Sequence, residues 1–141
     1  MTRYEISWGY DPHIVRFVES VNELDVVLDE ATQSQDEDGL HFVIDLVDPD
    51  RKQGEIDIPL GLHFGIGPGY AKVIWTGPGE NIGFESGIEP YGGVLPEFDY
   101  GGVPTEETPG TLRVSPAAAR EAAREFVESG QRPTCLEWAS S

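Results

Sequence analysis

Apolar and polar residues alternate over residues 4–10, with Tyr4, Ile6, Trp8 and Tyr10 on one side and Glu5 and Ser7 on the other. That period of two is the mark of a half-buried strand. Asp11-Pro12 signals a turn, and HIVRFV (13–18) reads as a second strand, so the chain opens with a predicted hairpin. The period then changes. Val21, Leu24, Val27, Leu28 and Ala31 recur at helical spacing behind Ser20 and Glu23, a capping-box pair. The spacing predicts a helix over 21–32 with Asp25, Asp29 and Glu30 toward solvent, followed by a polar loop, QSQDEDG (33–39).

HFVIDLVD (41–48) is a predicted strand with Phe42, Ile44 and Leu46 on one face, and DPDRKQGE is its connection to the next. Ile56, Ile58, Leu60, Leu62, Phe64 and Ile66 then take every second position, with Asp57, Pro59, Gly61, His63 and Gly65 between them. One face is greasy and the other small or polar, as in a sheet with one face on the core. Pro59 cannot donate to a ladder, so this strand is expected at an edge or broken there. GPGY (67–70) turns the chain into a strand at AKVIWTG (71–77), and NIGFESG (81–87) follows another Gly-Pro-Gly turn, which favours an antiparallel meander. Residues 88–111 are rich in Gly and Pro and interleave acids with aromatics; PEFDYGG (96–102) is a candidate short strand and the rest reads as ordered loop.

SPAAAREAAREFVESGQRP (115–133) has a marked start and stop. Ser115 is the N-cap, Pro116 takes the first helical position, and Gly130 and Pro133 end the helix. Ala119, Ala122, Ala123, Phe126 and Val127 form one apolar stripe. Arg120 and Arg124 lie among Glu121, Glu125 and Glu128, so the helix is no basic stripe and reads as scaffold. TCLEW (134–138) is a predicted last strand, with Cys135 expected in the core. Together these elements predict one α+β domain over 1–141, an antiparallel sheet of about five to seven strands with two helices packed on one face.

Charge changes the picture more than composition does. The 141 residues carry a formal net charge of -17, and residues 17–112 hold 20 of the 26 acids but only Arg51, Lys52 and Lys72 as bases. Such a surface repels the phosphate backbone that dominates nucleic-acid affinity, and it speeds the encounter with a basic partner. No apolar run approaches the ~20 residues that span a bilayer, the N-terminus has no signal-peptide core, and one cysteine allows no internal disulfide. A cytoplasmic protein without nucleic-acid or membrane partners is expected.

Recognisable chemistry is sparse. His13, His41 and His63 have no partners at metal-ligand spacing, and no metal or cofactor motif stands out. GIGPGY (65–70) lacks the lysine, Ser/Thr and following helix of a phosphate loop. Ser86 and Ser115 lack a nucleophile-elbow setting. No catalytic residue is assigned and no enzyme is expected.

The C-terminal segment TLRVSPAAAREAAREFVESGQRPTCLEW (111–138) resembles the end of a family of bacterial immunity proteins from polymorphic-toxin systems, immunity protein one. Phe126, Gly130, Arg132, Pro133 and Trp138 carry the likeness, with the aromatic first strand, the Ser20–Asp29 helix and LGLHFGIG (60–67) in support. The resemblance implies a non-catalytic protein that binds a cognate secreted toxin, either a deaminase acting on DNA cytosines or a nuclease-type toxin. A toxin that handles nucleic acid presents a basic cleft, which an acidic and aromatic surface can fill. The residues expected to meet it are Glu85, Glu89, Tyr91, Glu97, Phe98, Asp99, Tyr100, Glu106 and Glu107. Asp36, Glu37 and Asp38 are a second patch, whose simpler reading is a solvated loop. Two rivals stand beside this reading: an acidic DNA mimic that occupies a host nucleic-acid-binding protein, and a small ligand-binding domain using His63.

Overall fold

The computed structural model describes residues 2–52 and 58–140. Seven strands form one sheet: β1 (Tyr4–Trp8), β2 (Ile14–Val18), β3 (Ile44–Lys52), β4 (Pro59–Gly67), β5 (Tyr70–Trp75), β6 (Ile82–Phe84) and, last in the chain, β9 (Glu137–Ala139). Their order is β2-β1-β3-β4-β5-β6-β9, and neighbours run antiparallel throughout. A small hairpin, β7 (Asp99–Tyr100) and β8 (Val103–Pro104), stands apart from it.

Both helices lie on one face, as the pattern predicts. α1 (Val21–Gln33) starts at Ser20, whose hydroxyl accepts from the Glu23 amide. The Glu23 carboxylate reaches back one residue further than in a strict capping box, to the Glu19 amide. α2 (Pro116–Ser129) starts at Ser115 and stops at Gly130, whose φ of 70° is left-handed. Its buried residues are Ala119, Ala122, Ala123, Phe126 and Val127, the predicted stripe. They pack with Leu24, Leu28 and Ala31 of α1 against Ile6, Leu46, Leu62, Phe64, Val73 and their row-mates on the sheet. The alanines let α2 sit close, so Phe126 reaches the sheet and meets Tyr4 and Trp75 edge-on. Arg120 and Arg124 bond Asp29 and Asp25 of α1, so the basic residues of α2 bind the two helices together.

Three local expectations are corrected, and a fourth, at Pro59, is settled between its alternatives. β3 does not end at Asp48 but runs on through residues read as connection, with its register shifting between Asp48 and Lys52. Pro49 is tolerated because it lies in that irregular stretch. The Asp48 carboxylate accepts from the Asp50 amide and from Arg51, which also bonds the Gly130 carbonyl, tying the irregularity to the end of α2. Of the two expectations for Pro59 the break holds and the edge does not: β4 begins at Pro59 and is central in the sheet, and no ladder donor is lost at its first residue. The expected positions Ile56 and Asp57 lie outside the described residues. Tyr10 lies beyond the end of β1 and is 53% exposed. Cys135 is exposed rather than core, because β9 begins only at Glu137. The amides of Thr134 and Cys135 are held by the Glu125 carboxylate of α2, and Leu136 takes the buried place. Although Cys135 is exposed, desolvation of its sulfur and then the nearby Glu125 charge push its thiol up to about 11, so it is an inert thiol at neutral pH.

Among the described residues no helix is long and apolar enough to cross a membrane.

Phe126 is fully buried at the junction of α2, β1 and β5. Phe126→Ala should cost about 3–5 kcal/mol in urea-induced unfolding; a variant as stable as the parent would remove this packing account.

Candidate functional site

The second face of the sheet has a different chemistry. Pairing places Ser7, Asp45, His63 and Ile74 in one row across it. Asp45 holds His63 at 2.8 Å. Further along β4 this face carries Gly65 and Gly67, and the segment 88–112 folds back onto it. The ring of Phe98 occupies the space over Gly65, where a Cβ would come within 2.6 Å of it. Phe98 is 0% exposed and gathers Val43 and Leu112, with Tyr70 and Tyr91 at the margin, into a second small core.

Lys72 lies beside it. Its Nζ donates to Glu107 Oε2 at 2.7 Å and sits 5.3 Å from the centre of the Phe98 ring. Thr105 and Thr111 hydroxyls donate to the same carboxylate, so Glu107 is both buried and satisfied. Thr105 also accepts from the Phe98 amide. This arrangement fixes where β7 and β8 stand.

From there Asp99 is placed by backbone. Its amide donates to the His41 carbonyl and its carbonyl accepts from Val43, a parallel bridge across Phe42. The hairpin therefore meets the loop 34–40 and the turn 9–12 at one end of the sheet. Gly102 has a φ of 86° and the Tyr10 ring rests against it, so a side chain there would strain the backbone and meet that ring. Tyr100 stacks edge-on over His63, with centroids 4.8 Å apart. Burial raises its phenol pKa, and the adjacent Asp45 carboxylate raises it further.

Two grooves flank residues 9–11. One is lined by Trp8, Tyr10, Asp11, Ile14, Phe42, Asp99 and the loop residues Asp36, Glu37 and Asp38. The other is lined by Ser7, Tyr10, Asp11, His13, Val43, Asp45, Asp99 and Tyr100. No Lys or Arg lines either groove among the described residues. Asp36 and Asp99 share this groove. Burial opposes ionisation of Asp36, but the Leu40 amide at 2.8 Å, the Asp99 carboxyl and the Asp38 amide at 2.9 Å together hold it below the ordinary carboxylate range. Burial and then Asp36 push Asp99 above that range.

The nine residues expected to meet a partner are thus dispersed. Asp99 and Tyr100 reach the grooves. Phe98 and Glu107 are inside, anchoring the segment. Tyr91 is half-buried against Tyr70. Glu85 accepts from the Ser115 amide at the start of α2. Glu89, Glu97 and Glu106 are exposed and line neither groove. Asp36 accepts from the Asp38 and Leu40 amides and lines the first groove, and the sequence marks Tyr10 and Asp11 only as strand and turn. Their signal was an aromatic beside an Asp at a turn, in YDP (10–12) as in DYGG (99–102). His63, set against the small-residue face by its spacing, is engaged by Asp45 and covered by Tyr100. Among the described residues no group of three His, Cys, Asp or Glu side chains could hold a metal ion.

A family model described as Immunity protein Imm1 matches residues 13–140. No curated protein matches the chain.

Placement of the hairpin rests on the Phe98–Gly65 contact and the Lys72–Glu107 pair. Lys72→Ala leaves a buried carboxylate without its cation and should cost about 3–5 kcal/mol in chemical denaturation. A loss no larger than that of a surface lysine would show that the pair does not anchor the segment.

Proposed function

The chain belongs to the Imm1 family of immunity proteins, and from that premise we propose that it neutralises its toxin by stoichiometric docking of the acidic end of the sheet onto a basic cleft of that toxin. The observation that carries this reading is the pair of grooves beside residues 9–11. Asp11, Asp36, Glu37, Asp38, Asp45 and Asp99 line them without a Lys or Arg among the described residues, and Tyr10 and Tyr100 stand 53% and 49% exposed at their rims. Acids steer a basic partner in, and exposed aromatics supply the contact area that holds it. A cleft basic enough to match belongs to a toxin acting on nucleic acid. The sequence resemblance directs attention to a DNA-cytosine deaminase as the first toxin to test. In this reading the proposed contact set is Tyr10, Asp11, Asp36, Glu37, Asp38, Asp99 and Tyr100, while Phe98 and Glu107 act from beneath.

The experiment is co-expression with the C-terminal domain of whatever large secreted protein is encoded beside it. A one-to-one complex that abolishes the toxin's activity supports the reading. Capture of several basic host proteins, with no dedicated partner, would instead favour the DNA-mimic alternative.

Two outcomes follow for the complex. Association should slow steeply as salt rises, since exposed charges are screened over about 8 Å at physiological ionic strength, and Glu37→Lys with Asp38→Lys should slow it further at low salt. An association rate indifferent to salt and to both reversals would remove the electrostatic part of the mechanism. Tyr100→Ala should weaken binding by about 2 kcal/mol or more, chiefly through faster dissociation in surface-plasmon measurements; unchanged dissociation would take Tyr100 out of the interface.

A further inference from the structure

We infer that the tip of the β7–β8 hairpin is a rigid plug that enters a concave, apolar-walled pocket in the basic cleft of the toxin, with Tyr100 and Val103 as the inserted pair and His63 as the residue that holds the Tyr100 ring in place beforehand. The inference rests on the docking reading above and adds its shape, a ridge of this chain set into a hollow of the partner.

The first observation is what the tip displays. Tyr100 and Val103 lie opposite each other across the hairpin, so their side chains share one face. They are 49% and 64% exposed. The ring of Tyr10, itself exposed, rests against Gly102 beside them. Among the described residues nothing comes within 4 Å of where a Gly101 Cβ would stand, so the turn meets open space. Asp99 and Gly102 line one groove, and Asp99, Tyr100 and Gly101 line the other. The hairpin is therefore the ridge between two clefts, and it projects apolar side chains at its crest.

The second observation is that this crest is held still. Gly101 and Gly102 have φ of 64° and 86°, the two left-handed positions of a two-residue turn whose twist matches its strands. Gly102 N–H donates to Asp99 Oδ1 at 3.0 Å, and Thr105 N–H donates to the Phe98 carbonyl at 2.8 Å, over a fully buried Phe98 ring. The Tyr100 ring meets His63 at 85°, and Asp45, facing His63 on the next strand, fixes that imidazole through Nδ1. Exposed loop tips are ordinarily mobile and polar. Here apolar groups are both exposed and ordered before any partner arrives, so docking costs them little further freedom.

Charge selects the occupant. Acids and no described Lys or Arg line the clefts on either side, which suits a hollow with a basic rim. A second copy of this chain, with a net charge of -17, is repelled.

The test measures binding of the toxin domain to variants of the intact protein by surface plasmon resonance. Val103→Asp should dissociate about tenfold or more faster. Val103→Trp, which enlarges the tip, should weaken the complex at least as much as Val103→Ala, because a pocket has no room for it. Val26→Asp, at a 70% exposed valine of α1, should bind like the parent. His63→Ala should weaken binding about threefold or more, yet add nothing to Tyr100→Ala in the double variant, because it acts through that ring. Unshifted methyl signals of Val43 and Leu112, which surround Phe98, establish in each free variant that the hairpin has kept its place. With the hairpin in place, parental binding by Val103→Asp or tighter binding by Val103→Trp would overturn the plug. A full additional loss in the double variant would overturn the positioning role of His63. A complex that passes those overturning results yet still weakens with Glu37→Lys and Asp38→Lys leaves immunity by docking intact. Absence of any complex overturns the docking reading and the plug with it. A dimer of the free protein that Val103→Asp dissolves would assign the tip to a second copy and overturn the plug.

Discussion

The contact on which the rest depends is Phe98 lying over Gly65. A residue with a Cβ at position 65 would meet that ring at 2.6 Å, so the missing side chain on β4 is what lets the Gly- and Pro-rich segment come down onto the sheet. Lys72 and Glu107 then pin it with a buried ion pair whose carboxylate is also bonded by Thr105 and Thr111. This polar anchor adds geometry rather than net stability, because the desolvation of both charges offsets most of their attraction. Its consequence is positional. With Phe98 fixed, Asp99 bridges to residues 41–43 and the hairpin meets the first turn and the acidic loop.

The two faces of the sheet thereby divide the work. One buries an apolar layer under α1 and α2, where the two arginines of α2 are paired with Asp25 and Asp29 of α1. The other is half covered by the 88–112 segment and leaves the grooves open at one end. Asp11, Asp36, Glu37, Asp38, Asp45 and Asp99 line those grooves with no described Lys or Arg among them. An unbalanced field of this kind raises the rate of encounter with a basic surface more than it raises affinity. In the proposed docking, the exposed rings of Tyr10 and Tyr100 are the short-range contacts that slow release.

The fold was legible where local signals agree. Ser115, Pro116 and Gly130 bracket α2, its alanine stripe is buried as the spacing predicts, and the alternation from Leu60 to Ile66 is a central strand. The readings that failed depended on tertiary context. Residues 48–52 read as connection by their Pro and polar content, yet β3 runs on through them with a shift of register against β4. Cys135 alternates with Leu136 in sequence, but the Glu125 carboxylate holds its amide outside the strand. The site was only partly legible. Asp99 and Tyr100 stand out in an acid-aromatic run, but nothing local distinguishes them from Phe98 one residue earlier, which is wholly buried. Residues 10–11, 36–38 and 99–102 meet only through pairing at long sequence separation, and no spacing rule encodes that meeting.

The most direct test of the account is hydrogen exchange of this protein in its complex with the toxin domain. The account predicts slowed exchange at residues 9–11, 34–40 and 99–103, with α1 and α2 exchanging as in the free protein. Protection confined to the helical layer, with those three segments unchanged, would contradict it.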